Sequence, residues 1–278
     1  MKKVICCMAV ALSIAIPMGA AQASPADDLK AFQNYFKKKF PNVPKSDFVN
    51  GVYALDKASR EQWEAIEEFP PYEIDIDKGE EMWNKAFANG KTYASCLGDD
   101  ASKVKAKYPH FDTKKGEVVT LEGDINACRV SNGEKPLGWK KGKIAALSAY
   151  LAYQARGQKI DVKIPDDPKA LAAYERGKHH FYAKRGQLNM ACADCHVYYA
   201  GSRIRADILS PALGHVSHFP VYRSKWGGLG TLHRRYGGCN KQVRAKPFKA
   251  QSAEYKALEY FHTYMSNGLE FNGPGARK

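Results

Sequence analysis

The stretch Cys192-Ala193-Asp194-Cys195-His196 decides the interpretation of this 278-residue chain. Two cysteines separated by two residues and followed directly by histidine are typical of covalent haem attachment, in which both thiols form thioethers and the histidine ligates iron. A redox dithiol or half of a zinc site would use similar cysteines. However, no βαβ pattern surrounds them, and no second cysteine pair completes a zinc tetrad. The motif therefore predicts one haem c, held by Cys192, Cys195 and His196.

The N-terminus has the pattern of a secretory signal. Lys2 and Lys3 precede an apolar run over residues 4–20, and Ala21-Gln22-Ala23 forms a small-x-small cleavage site. The run is short and contains serine and proline, which argues against a membrane anchor. We therefore predict a signal peptide at residues 1–23, a periplasmic location and no membrane span.

The formal net charge of +14 indicates an anionic partner or ligand. Export, the dispersed placement of the basic residues and the lack of a recognisable motif argue against nucleic acid. Acidic partner proteins and small anions remain.

The spacings around the motif occur twice in the chain, which indicates an internal duplication. Gly177, Phe181, Gly186 and Cys192 have the spacing of Gly79, Trp83, Gly90 and Cys96. Apolar residues at helical spacing occur over 27–39, 78–89, 143–156, 169–185 and 252–267, whereas 201–238 reads mostly as loop. We predict a mainly α fold with two tandem cytochrome c-like domains, at residues 24–160 and 161–278.

The first copy lacks the residues that a covalent haem needs. Asp99 stands where the second attachment cysteine would be, and Asp100 where the histidine would be. We therefore expect the first domain to carry no haem. Its two cysteines, Cys96 and Cys128, are expected to form a disulfide in an oxidising compartment, and the alternative is a pair of free thiols.

Cys239 is the favoured second axial ligand of the predicted haem. It matches Cys128 in the first copy, and the expected pairings leave it without a disulfide partner. Four cations lie near it in sequence and favour a thiolate: Arg234, Arg235, Lys241 and Arg244. The other candidate ligands are Met265, His215, His218, His233 and His262. An inert buried cysteine, with the arginines pairing haem propionates, is the remaining alternative.

Three stretches of the chain resemble a known family: the haem motif, Arg235-Tyr236-x-x-Cys239 and Arg244-Ala245-Lys246-Pro247-Phe248. They are similar to the SoxA family, the larger cytochrome subunits of SoxAX complexes in sulfur-oxidising bacteria. The resemblance covers essentially the whole mature chain and is to the single-haem type. It implies an L-cysteine S-thiosulfotransferase that oxidatively joins thiosulfate to a cysteine of the carrier protein SoxYZ. The implied partner is the small cytochrome SoxX.

The same resemblance implies roles for individual residues. His196 and Cys239 would be the axial ligands of the haem, Cys239 the catalytic sulfur, often found in the family as a persulfide, and Arg235 the active-site arginine. Arg234, Arg244 and Lys241 are further candidates for anion binding. Two other functions stay open: a thiosulfate dehydrogenase that forms tetrathionate, and a plain electron-transfer cytochrome.

Overall fold

The computed structural model describes residues 23–277. The predicted signal peptide therefore lies outside the described residues, apart from Ala23 at its end. Within the described range, none of the helices combines the length and the apolar character needed to cross a membrane.

The described chain is mainly helical, with a few short strands. The α-helices are α1 (Pro25–Lys39), α2 (Lys57–Glu67), α3 (Glu73–Asn84), α4 (Ala94–Leu97), α5 (Leu121–Ser131), α6 (Lys143–Gln154), α7 (Pro168–Tyr182), α8 (Leu232–Gln242) and α9 (Ala253–Tyr264). The strands are β1 (His110–Asp112), β2 (Glu117–Val119), β3 (Arg203–Ile204), β4 (Asp207–Ile208), β5 (Val221–Arg223), β6 (Gly228–Gly230) and β7 (Gly275–Arg277). β5 is the central strand of a three-stranded sheet, antiparallel to β6 and parallel to β7.

The sequence periodicity predicts α1, α6, α7 and α9, places α3 about five residues too late, and misses α2, α4, α5 and α8. The expectation of loop over residues 201–238 is wrong for the end of that range, because α8 begins at Leu232. Gly237 and Gly238 lie inside α8 and weaken its helical pattern. Tertiary packing holds the helix instead, since Leu232, His233, Tyr236 and Gly237 are buried.

Each half of the chain contains a pair of helices that cross at a glycine. In the N-terminal half, α3 meets α6 at Gly79, where an added Cβ would lie 2.3 Å from the carbonyl oxygen of Ala146. In the C-terminal half, α7 meets α9 at Gly177, and a Cβ there would lie 2.1 Å from the carbonyl oxygen of Ala257. Only a residue without a side chain permits such an approach. The matching crossings support the duplication, and the mainly α fold is confirmed.

α5 and α8 are equivalent helices in the two halves. Both have 11 residues, both follow a threonine, and each carries a cysteine at its eighth position, Cys128 or Cys239. Cys128 forms the predicted disulfide with Cys96 on α4, which is worth about 3–4 kcal/mol on the chain-entropy model. Asp100 is exposed and accepts a hydrogen bond from the amide of Ser102 at 3.0 Å.

The helix α1 packs against the C-terminal half of the chain as well as against Phe48, which follows it in sequence. Phe32 and Phe36 of α1 belong to the same buried core as Phe181 of α7. Asp28 binds Lys178 at 2.6 Å and accepts a hydrogen bond from Tyr174 at 2.8 Å. The N-terminal segment thus completes the core that surrounds the haem motif.

The two halves meet through equivalent residues at the starts of α5 and α8. In α5, the carboxylate of Glu122 accepts a hydrogen bond from Ser148 of α6 at 3.3 Å. In α8, His233 pairs with Glu259 of α9 at 3.0 Å. All four side chains are buried. Across the boundary between the halves, the charge of Glu259 acts on Glu122, and the hydroxyl of Thr231, just before α8, donates to the carbonyl of Trp139 at 3.0 Å.

Candidate functional site

The Cys-x-x-Cys-His motif follows α7 and runs into a short π-helical turn at Asp194–Tyr198. The side chain of Asp194 accepts a hydrogen bond from the amide of Ala191 at 2.7 Å, which fixes the start of this turn. Cys192 and Cys195 are both free and partly buried. Burial raises the pKa of the Cys192 thiol to about 12, with a further contribution from Cys239. Two free thiols, held neutral at the edge of an apolar core, suit thioether attachment.

His196 is oriented by a backbone carbonyl. Its Nδ1 lies 2.8 Å from the carbonyl oxygen of Ser210, and because this oxygen can only accept, Nδ1 donates. Nε2 is then the ring nitrogen left for a ligand. Metal-ligating histidines commonly have their other ring nitrogen fixed in this way.

Cys239 and His196 are brought together across the site. The His196 ring lies close enough to the Cys239 thiol to act on its pKa, and Arg235 lies one turn before Cys239 on α8. Burial alone would raise the pKa of the Cys239 thiol, but Arg235 and His196 outweigh it and lower the pKa to about 7. The positive groups around the sulfur therefore favour the thiolate. An imidazole nitrogen and a thiolate facing each other are a donor pair suited to haem iron.

Three of the other candidate ligands lie around His196 but already have partners. The ring of His215 is centred 4.4 Å from that of His196, and its Nε2 is 2.7 Å from the hydroxyl of Ser210. His262 contacts the hydroxyl of Tyr236 at 3.2 Å. His218 lies near the carbonyl of Val49 at 3.3 Å. These contacts leave Cys239 as the candidate that faces His196.

Two further candidate ligands lie outside this cluster of histidines. His233 belongs to the interface between the halves, where it pairs with Glu259. Met265 is fully buried in the core just after α9.

The cations predicted near Cys239 are placed differently from one another. Arg235 acts directly on the Cys239 thiol. Arg234 instead stacks on Trp226, with Cζ 4.2 Å from the ring centre, and donates to the carbonyl of Leu229 at 3.1 Å. Lys241 and Arg244 are exposed at the end of α8 and beyond it. The structure thus brings one of the four predicted cations to the thiol.

Sequence reasoning misses a second arginine at this site. Arg223 is the last residue of β5, 16 positions before Cys239, and its positive charge also lowers the pKa of the Cys239 thiol. No motif marks it, because β5 reaches the site through the fold rather than through sequence spacing. Its strand neighbour Arg277 is equally distant from any motif.

The chain is similar to known proteins in sequence and in structure. A family model described as the SoxA/TsdA cytochrome c domain matches residues 78–160. The chain is 59% identical over 257 residues to the L-cysteine S-thiosulfotransferase subunit SoxA of Chlorobaculum tepidum, covering 92% of this chain and 89% of that protein. It is 57% identical over 265 residues to the subunit of the same name from Allochromatium vinosum, covering 95% and 94%.

A solved structure resembles the chain at the level of the fold as well. The crystal structure of SoxXA from P. pantotrophus contains a chain that matches with a TM-score of 0.72 and 32% sequence identity, covering 81% of this chain and 86% of that one. The similarity thus extends over both halves, including the part that carries the haem motif.

Proposed function

This chain belongs to the SoxA family of L-cysteine S-thiosulfotransferase subunits, and we propose that Cys239 is the sulfur at which it joins thiosulfate to a carrier protein. The enzyme conjugates thiosulfate oxidatively to a cysteine of SoxYZ. The observation that supports Cys239 is its position between His196 and Arg235, with a thiol pKa of about 7. A thiolate that forms readily at neutral pH is a competent nucleophile and ligand.

The family binds haem c, and the residues of this chain fit one such group. Cys192 and Cys195 would hold it as thioethers, and His196 and Cys239 would be its axial ligands. When bound, the haem supplies a one-electron route out of the site. We propose a single haem, since the first half has Asp99 and Asp100 where attachment would require cysteine and histidine.

The proposed reaction joins two sulfur nucleophiles and so releases two electrons. The Cys239 thiolate and thiosulfate form a sulfur–sulfur bond, giving a Cys239 S-thiosulfonate and two electrons. The thiolate of the carrier then attacks the sulfur bonded to Cys239, takes the thiosulfate group, and regenerates the Cys239 thiolate. Arg235 would hold the dianion, because a guanidinium pairs with an oxyanion through two parallel hydrogen bonds.

The proposed partners follow from the names of the relatives. A SoxX-type cytochrome, as in the SoxXA complex of P. pantotrophus, would take the second electron. The carrier SoxYZ would present its cysteine thiolate to Cys239. We place the protein in the periplasm because of the secretory pattern at its N-terminus.

Replacing Cys239 tests the proposal. We expect Cys239→Ala, assayed as the complex with its partner cytochrome, to lower the rate of thiosulfate conjugation to the carrier by at least about 10³-fold, as for loss of a catalytic nucleophile. Mass spectrometry of the carrier measures the product. The matched control is Cys96→Ala/Cys128→Ala, which removes the equivalent sulfur of α5 and should retain activity. Normal conjugation by Cys239→Ala would refute the role of Cys239.

A second candidate function follows from the family model, whose description includes TsdA. A thiosulfate dehydrogenase would couple two thiosulfates to tetrathionate without a carrier. The same assay run with thiosulfate alone distinguishes the two reactions, because the proposed enzyme should form little tetrathionate until carrier is added. A plain electron carrier would form neither product.

A further inference from the structure

Two arginines lie side by side on paired strands next to the Cys239 site. The parallel register of β5 and β7 places Arg223 opposite Arg277. In each guanidinium group one nitrogen is buried without a hydrogen-bond partner, Nε in Arg223 and Nη2 in Arg277. An unpaired buried donor on a charged group costs free energy. A bound anion would remove that cost.

No carboxylate of the described residues forms an ion pair with either arginine. The negative charge of Asp207 acts to raise the pKa of Arg223, and that of Glu67 acts to raise the pKa of Arg277. Neither carboxylate forms a direct salt bridge with its arginine. Both guanidinium groups lie beside aromatic rings instead. Cζ of Arg223 lies 5.6 Å from the centre of the Trp226 ring. Stacking of this kind covers the face of a guanidinium and leaves its N–H edge for an anion.

Arg223 also lies near the proposed reaction centre. Its charge acts on the Cys239 thiol together with that of Arg235. Burial lowers the pKa of Arg223 to about 10, and the positive charge of Arg235 adds to this effect. Two cations that repel each other beside a reactive sulfur are stabilised when an anion lies between them.

We propose that Arg223, supported by Arg277, binds an anion beside Cys239 and, with Arg235, forms a two-arginine clamp for the oxyanion end of the substrate. The inference rests on the proposed function at Cys239. The ligand is an oxygen-bearing anion, which is the chemistry of thiosulfate. The carboxylates of the haem share that chemistry, and we favour the substrate because Arg223 and Arg235 both act on the reactive sulfur.

Two variants of Arg223 in the haem-loaded complex test the proposal. We expect Arg223→Gln to raise the KM for thiosulfate roughly tenfold, with a smaller change in kcat, because one charge-assisted hydrogen bond is lost. Arg223→Lys should recover part of the loss, since it keeps the charge but not the planar fork. The matched control is Arg176→Gln, which replaces an exposed arginine of α7 and should leave KM unchanged.

Resonance Raman spectra of the same variants identify the source of the anion. A rise in KM with unchanged propionate bands supports substrate binding. Shifted propionate bands with unchanged KM support an anion site occupied by a haem carboxylate. If neither changes in correctly folded Arg223→Gln, the inference is wrong. That result is separate from a failure of the proposed function, which Cys239→Ala would reveal by retaining activity.

Discussion

The reactivity of Cys239 depends on a balance between burial, which raises the pKa of its thiol, and positive groups, which lower it. The equivalent residue in the N-terminal half, Cys128, experiences no such balance, because Cys96 closes it into a disulfide. One residue type at the same helical position is thus a structural crosslink in one half and the proposed nucleophile in the other. The difference depends on which groups surround each sulfur.

His180 gives a prediction at the same scale. Burial lowers its pKa to about 4, and the nearby Arg185 adds to this effect. The unfolded chain therefore takes up a proton near pH 6.5 that the folded chain resists until about pH 4. The contribution of His180 to the free energy of unfolding is fully present above about pH 6.5. It should fall by about 3 kcal/mol as the pH drops to about 4.

Urea unfolding of the haem-loaded protein at a series of pH values measures this slope. We expect His180→Gln to lose most of the contribution of His180 to the slope. The neighbouring His179 is exposed, and His179→Gln should behave like the native protein. An unchanged slope in His180→Gln would contradict the assignment.

Residues in local motifs could be predicted from sequence, and residues that reach the site through the fold could not. The Cys192–His196 motif and the cations near Cys239 are visible because covalent attachment and helical spacing fix them locally. Arg223 is different. The fold brings β5 near the Cys239 thiol, and no motif in the surrounding sequence predicts that position. Of the four predicted cations, only Arg235 acts on the thiol, because Arg234 turns toward Trp226.

At the scale of elements, the close crossings of α3 with α6 and of α7 with α9 define the two halves. Each crossing depends on a glycine, and the backbone of the partner helix occupies the space that a side chain would need. In the C-terminal half this contact sets the position of α7, which leads into the haem motif.

The crossing at Gly177 predicts an unusual helix substitution. Alanine normally stabilises a helix relative to glycine. Here we expect Gly177→Ala to destabilise by at least about 2 kcal/mol, because its Cβ would collide with the backbone of α9. Thermal or urea unfolding measures the change. Gly138→Ala is the control, since no atom lies within 4 Å of an added Cβ there. Equal stabilities of the two variants would contradict a tight crossing.

The elements themselves were only partly predictable. Helices with a regular apolar face, such as α6 and α9, are evident from the sequence. α5 and α8 are not, because both contain glycine and polar residues that favour other conformations. These two helices carry Cys128 and Cys239. The helical pattern of the sequence is therefore weakest at the disulfide and at the candidate site.

At the scale of the whole molecule, the halves meet at a buried group of titratable residues. Glu122 and Glu259 lie close enough for each to affect the other, and Lys105 and His233 supply the opposing charge. Burial raises the pKa of Glu122, and the charge of Glu259 raises it further. The ionised form of Glu122 therefore opposes folding as the pH rises, whereas Glu259 has His233 at 3.0 Å.

Two matched substitutions should have opposite effects at pH 8. Glu122→Gln replaces a disfavoured charge with a neutral amide of the same shape, and we expect it to be neutral or stabilising, with a benefit that declines as the pH falls. Glu259→Gln removes the buried carboxylate that contacts His233 and should cost about 1–3 kcal/mol. Urea unfolding at pH 8 and pH 5 measures both. A loss of stability in Glu122→Gln at pH 8 would contradict the raised pKa.

The tandem arrangement was predictable, but the path of the N-terminal segment was not. Repeated glycine, aromatic and cysteine spacings indicate two cytochrome c-like units in chain order. Nothing in α1 indicates that Phe32 and Phe36 enter the core of the C-terminal half, because an amphipathic helix does not specify which surface covers its apolar face.

The docking of α1 has a consequence for the order in which the protein matures. The hydroxyl of Tyr35 and Nζ of Lys39 donate to the carbonyl of Val197 at 3.2 and 3.0 Å, within the turn that contains His196. An attachment enzyme needs access to that turn before it closes. We therefore expect the proposed thioethers to be made while α1 is still undocked, so that the first helix of the described residues docks late.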